Sequence, residues 1–162
     1  MKYALIVINL TVFLFAVEGS ECVRSTPTST IKSNSPFKVT RLNGKVEIYK
    51  EQIEIDPNTK VIIENKGCES YWIEYRILFS NLDTNGNAYK RLIEVIKVIS
   101  RFNKSSINLV KIANILNETA ENEIYKDENI ISENEFGESF TLSKKKKKDG
   151  TIQFILSAVI GL

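Results

Sequence analysis

Histidine is absent from all 162 residues. With it go the Ser-His and Cys-His nucleophile pairs, the imidazole general base and the imidazole zinc ligand, on which most secreted hydrolases depend. Cysteine is scarce, at two residues, Cys22 and Cys68, and tryptophan occurs once, at Trp72. An excess of one charge is missing too: 22 basic and 20 acidic residues leave +2, so the overall field does not attract nucleic acid or an acidic substrate. Only a local charge run can argue for such partners. The longest apolar stretch, residues 4–17, falls short of the roughly 20 residues of a membrane-spanning helix.

That stretch follows Lys2 and leads to Val17 and Gly19, the three-part form of a secretory signal peptide. We read residues 1–19 as the signal peptide, cleaved after Gly19, with an uncleaved anchor as the alternative. The expected location is therefore secreted and extracellular, with no transmembrane segment in the mature chain. Cleavage leaves roughly 143 residues, enough for one domain with one apolar core. In an oxidising compartment, two cysteines without a third thiol read as one disulfide, Cys22 to Cys68. It would close a loop of about 45 residues, a contribution of ~3–4 kcal/mol by chain entropy. Two buried free thiols are the alternative. With both sulfurs paired, thiolate catalysis and cysteine metal sites drop out.

Residues 20–36 are rich in Ser, Thr and Pro and carry little apolar surface, so they are expected to form an extended linker before a single domain at 37–162. Within the domain, strand logic comes first. The segment FKVTRL, the turn dipeptide Asn43-Gly44 and KVEIY predict a hairpin, because Asn-Gly supplies the positive φ of a two-residue turn. QIEI and KVIIE flank Asp56-Pro57-Asn58-Thr59, which predicts a second hairpin. Alternation slips between Ile48 and Ile53, predicting a bulge or break near Lys50 and Glu51. A long central strand follows, with Tyr71, Ile73, Tyr75, Ile77 and Phe79 on one face and Trp72, Glu74, Arg76 and Leu78 on the other.

The period then lengthens. Ala88, Leu92, Val95, Ile96, Ile99 and Phe102 recur at three and four residues, the stripe of an amphipathic helix. A second helix is predicted over 106–116, capped by Ser105 or Ser106 and buried through Leu109, Ile112, Ala113 and Leu116. Residues 117–129 read as a loop or a frayed continuation. ENEFGESFTL and TIQFILSAVI read as two more strands, joined by a turn ending at Asp149-Gly150. The expected fold is α+β: an antiparallel sheet of about five to six strands with two central amphipathic helices packed on one face.

Residues 83–94 are similar to an EF-hand loop, with Asp83, Asn85 and Asn87 at positions one, three and five and Glu94 at twelve. The resemblance implies calcium binding between two helices. Ala88 departs from it at the sixth position, where glycine makes the sharp turn, and Lys90 at the eighth. A second stretch, residues 117–128, fits less well. The competing reading of the first is a strand-to-helix turn, with Asp83 or Asn87 as the helix cap.

Asn103 and Asn117 head N-glycosylation sequons, with Asn103 expected to be the better placed because it lies between the two predicted helices. Lys144, Lys145, Lys146, Lys147 and Lys148 form a run that offers weak contact with an anionic surface; its plainer role is to guard a strand edge against aggregation. Tyr71, Trp72 and Tyr75 are the contact candidates if one sheet face stays open, although packing in the core accounts for most such residues. The functional expectation is a secreted non-enzymatic binding or effector protein acting on an extracellular protein or a small apolar ligand. A divergent EF-hand calcium binder and a carboxylate-dependent hydrolase are the alternatives. No catalytic, metal or cofactor residue is assigned. Mass spectrometry of the exported protein will read an N-terminus at Ser20 and, before reduction, a mass lower by the two hydrogens of one disulfide.

Overall fold

The computed structural model describes residues 26–42, 45, 47–67, 71–81, 88–125, 128–131 and 137–161. Residues 1–19, read as a signal peptide, Cys22, Cys68, the expected turn at Asn43-Gly44 and residues 82–87 lie outside them.

Alternation of apolar and polar side chains builds the sheet. Strands β1 (Val39–Leu42), β2 (Tyr49–Asp56), β3 (Thr59–Asn65) and β4 (Tyr71–Phe79) form a meander. Helices α1 (Ala88–Ser100), α2 (Leu109–Glu118) and α3 (Glu121–Ile124) follow, and β5 (Asn129–Ile130), β6 (Glu138–Lys146) and β7 (Ile152–Ile160) complete the chain. Neighbouring strands are antiparallel throughout, in the order β1-β2-β3-β4-β7-β6-β5. The described residues thus form an α+β-like arrangement dominated by one seven-stranded sheet, more strands than the five to six expected.

β4 sits mid-sheet between β3 and β7, as its β-branched and aromatic content predicts. Its inward residues Ile73, Tyr75, Ile77 and Phe79 are fully buried, in one core with Phe154 and Leu156 of β7, Phe140 of β6 and the helix residues Leu92, Ile96 and Ile112. The rings of Phe79 and Phe154 meet edge-on, with centroids 6.1 Å apart. The α1 stripe is the predicted one from Ala88 to Ile99, widened by Tyr89 and Ile93, whereas Phe102 lies past the end of the helix and is partly buried. Tyr89 reaches α2, donating its hydroxyl to the carbonyl of Leu116 at 2.9 Å. The Asp56–Thr59 turn also forms as predicted: Asp56 pairs with Thr59, and the Asn58 amide donates to Asp56 Oδ1 at 2.8 Å.

Several boundaries differ from expectation, each for a local reason. KVEIY and QIEI do not form separate strands, because Tyr49 to Asp56 runs on as β2. The slip in alternation produces no bulge at Lys50 or Glu51, whose pairing with Glu64 and Ile63 is regular; the irregularity lies between Glu54 and Asp56. In-phase pairing instead drives the Glu51 carboxylate into the core side, where it is 1% exposed. α2 starts at Leu109 because Asn108, rather than Ser105 or Ser106, is its cap and accepts from the Lys111 amide. Ser105 is bound to the Asn103 side chain. Part of the stretch expected as loop forms α3 and β5.

Part of the stretch read as a linker makes specific contacts with the domain. Glu51 Oε1 accepts from the Thr30 amide at 2.7 Å and the Thr30 hydroxyl at 2.8 Å, and Oε2 accepts from the Ser29 hydroxyl at 2.7 Å. Ile31 is buried and bridges to Asn103; the Lys32 amide donates to Phe102 O and the Lys104 amide to Thr30 O, each at 2.8 Å. Residues 28–32 are therefore a strap fastened to the domain. Their polar side chains could not bury much apolar surface, but they supply the donors that a sealed carboxylate requires.

Replacing Glu51 with Leu will strand these donors and cost about 2–4 kcal/mol, read from denaturant midpoints, with the amides of Thr30, Lys32 and Lys104 the first to lose hydrogen-exchange protection. Tyr75 gives the opposite result. Its buried hydroxyl makes no hydrogen bond of normal geometry among the described residues, so Tyr75→Phe will be neutral or stabilising by about 1 kcal/mol. A loss of stability in that variant would reveal a bonded partner for the hydroxyl.

Candidate functional site

Pairing register decides what gathers on the sheet face turned away from the core. Lys50, Glu64, Glu74 and Ser157 fall in one cross-strand row, and Gln52, Ile62, Arg76 and Ile155 in the next. Trp72 pairs with Val159 beside them. The first row places two carboxylates as direct neighbours, so cations must collect around them. Lys50 Nζ lies 2.7 Å from Glu64, Lys66 Nζ 2.9 Å from Glu74, and Arg76 Nε 2.6 Å from Glu74. Lys66 and Arg76 also reach Glu64, at 3.7 and 3.5 Å. Burial pushes the Glu74 carboxyl up, yet hydrogen bonds from Lys66 and Arg76, reinforced by their charges, outweigh it and hold the group below its ordinary value.

The same lysine fixes the tryptophan. Lys66 Nζ stands 4.3 Å from the centre of the Trp72 ring, and indole Nε1 donates to Ser157 Oγ at 2.7 Å. A cation over one face and a hydrogen bond at the edge leave Trp72 38% exposed in one orientation. It is an aromatic group whose ordering cost is already met before any partner arrives.

A glycosidase-type acid needs a raised pKa, and the Glu74 carboxyl is lowered. Glu138 is raised, chiefly by burial and against the Asn108 amide and Lys111, but it serves as acceptor for that amide at the α2 cap. Among the described residues, no group of three or more His, Cys, Asp or Glu is placed to hold a metal. Surface grooves among the described residues include two. One of about 700 Å³ runs along the strap past Ile31, Lys32, Phe37 and Lys104; the other, of about 470 Å³, lies at the Asp56-Pro57 turn.

The residues singled out in the sequence scatter. Tyr75 belongs to the core, Tyr71 is half-buried at the start of β4, and Trp72 alone of the three is exposed on the outer face. Cys22 and Cys68, expected to form a disulfide, and Asp83, Asn85 and Asn87 lie outside the described residues. Glu94 sits on α1 and pairs with Arg91 at 3.0 Å. The segment before the EF-hand-like loop is strand β4, where that family has its incoming helix, and the second stretch is occupied by the end of α2 and by α3. Asn103 Nδ2, the atom a glycan would join, donates to Ile107 O at 3.0 Å, whereas Asn117 is exposed on the last turn of α2. Lys144, Lys145 and Lys146 are strand residues rather than loop, and Lys147 and Lys148 begin the turn. No helix among the described residues is long and apolar enough to cross a membrane.

No family model matches the chain, and no curated protein or solved structure matches it.

The lowered Glu74 carboxyl gives a signed pH dependence. Its contribution is complete above the ordinary glutamate value of 4.5 and is lost as pH falls through the folded value below it. The melting temperature of the wild type will therefore fall on acidification below that point, and the fall will be shallower in Glu74→Gln.

Proposed function

We propose that this chain is a secreted, non-enzymatic binding protein of effector or carrier type that engages an extracellular protein through the outer face of its sheet. The observation that carries the reading is Trp72, half-exposed and pinned between Lys66 and Ser157. Arg76 and the partly buried aliphatics Ile62, Leu78, Ile155 and Val159 share that face. Tryptophan and arginine dominate binding energy at protein interfaces, and aliphatic neighbours exclude water around them.

Within this proposal the small apolar ligand is the weaker half. The inward positions of β4 and β7 are sealed against the helices, and the two grooves are open and edged with lysine and serine or acid. Cation-neutralised carboxylates and the missing histidine support the non-enzymatic reading over a carboxylate hydrolase. Strand β4 in the place of an incoming helix weighs against the calcium alternative. Export, the Cys22 to Cys68 disulfide and a glycan on a sequon belong to the same proposal, with Asn117 the better-placed acceptor because its side chain faces solvent.

Affinity capture from extracellular fluid, followed by titration of the captured protein, tests the reading. Because Trp72 is the single tryptophan, its fluorescence reports contact at this face. Trp72→Ala and Arg76→Ala will each weaken the complex by about tenfold or more without unfolding the domain. A complex that forms with wild-type affinity in both variants, or that leaves the tryptophan emission unchanged, would place the contact elsewhere.

A further inference from the structure

The β6–β7 hairpin carries a second, separate surface. Strand β5 covers β6 only at Ser139 and Phe140, so from Thr141 to Lys146 the outer edge of β6 has no strand partner among the described residues. Every residue from Ser143 to Gly150 is exposed. In a strand, successive side chains leave opposite faces, so Lys144 and Lys146 project on one side of the hairpin and Lys145 on the other. Lys147 and Lys148 enter the turn, which is closed by the Lys147 amide on Thr151 O and by Gly150 at φ +83°. The single acid in the turn, Asp149, is drawn into it by accepting from the Thr151 amide at 2.9 Å. Lys144 is partly neutralised by Glu121 at 2.6 Å; Lys145, Lys146, Lys147 and Lys148 have no ion pair among the described residues.

We propose that this hairpin is a binding site for a sulfated polysaccharide chain. The charge surrounds the hairpin instead of tiling one plane, which suits a flexible linear polyanion able to pass along both faces and over the tip. A flat anionic membrane would meet one face only. The tip, Lys147-Lys148-Asp149-Gly150, also lacks the apolar side chain that anchors a peptide segment in lipid. Anionic lipid is concentrated in cytoplasmic leaflets, so for an exported protein the sulfated polymers of the extracellular space are the fitting source of negative charge. Binding of this kind proceeds by release of condensed counterions and weakens steeply with salt.

The test uses the whole exported protein on immobilised heparin, with desulfated heparin and vesicles of equal parts phosphatidylcholine and phosphatidylserine in parallel. One variant changes Lys145, Lys146 and Lys148 to Gln; a charge-matched control changes the exposed Lys38, Lys45 and Lys97 to Gln. The expected result is retention of the wild type and the control on heparin at near-physiological salt, and early elution of the hairpin variant. The slope of log affinity against log salt should fall by about two units in the hairpin variant, by analogy with nucleic-acid polyanions. Unchanged melting temperatures will show that all three proteins are folded. Flow-through of the wild type, an equal loss in the control, equal retention on desulfated heparin, or retention on vesicles but not on heparin would each overturn the proposal.

Discussion

A carboxylate sealed away from water must find donors, and Glu51 finds them in Ser29 and Thr30. Much of the architecture at one end of the molecule depends on that requirement. The strap it captures brings Ile31 into the core and aligns the Lys32 amide with the turn after α1. Phe37 then meets Phe102 edge-on, with centroids 5.6 Å apart. One charged side chain thereby ties the β2 side of the sheet to the loop that joins the two main helices. An aliphatic residue there would bury more cheaply, but would leave the strap held only by Ile31 and its backbone bonds to the loop after α1.

The sheet separates two kinds of chemistry. Its inner face is closed by large apolar side chains from β4, β6, β7 and the helices, and this is where cohesion comes from. Its outer face is held in order by charge: Glu64 and Glu74 would repel one another across β3 and β4 if Lys50, Lys66 and Arg76 did not bridge them. Lys66 links that network to Trp72. Rigidity on the exposed side is thus electrostatic, and it leaves an aromatic surface presented without a cavity.

Local patterns made the main elements legible in the sequence. The alternation through β4, the 3.6-residue stripe of α1 and the Asp56-Pro57 turn each rest on neighbours in the chain, and each formed where the pattern placed it. What escaped depends on partners far away in sequence. Glu51 looked like a break in a strand because its donors lie 21 and 22 residues earlier, in a segment whose composition resembles a linker. The carboxylate-lysine cluster needed the β2-β3-β4 register before Lys50, Glu64 and Glu74 could be seen as one row. A charged residue in phase with buried neighbours was the signal available for Glu51, and three charged or aromatic residues on the polar face of β4 were the signal for the outer cluster.

The position of β7 carries a consequence for how the molecule comes into being. It is made after the other six strands, yet it lies between β4 and β6 and pairs Tyr71 with Ile160. Until it arrives, the meander presents the long apolar β4 with a bare edge, and β6 has nothing to pair with on that side. Closure of the sheet is therefore a late event that joins distant parts of the chain, with the slow rate typical of non-local pairing. A polypeptide that cannot complete its sheet until β7 has been made stays vulnerable to mispairing at the β4 edge throughout its synthesis.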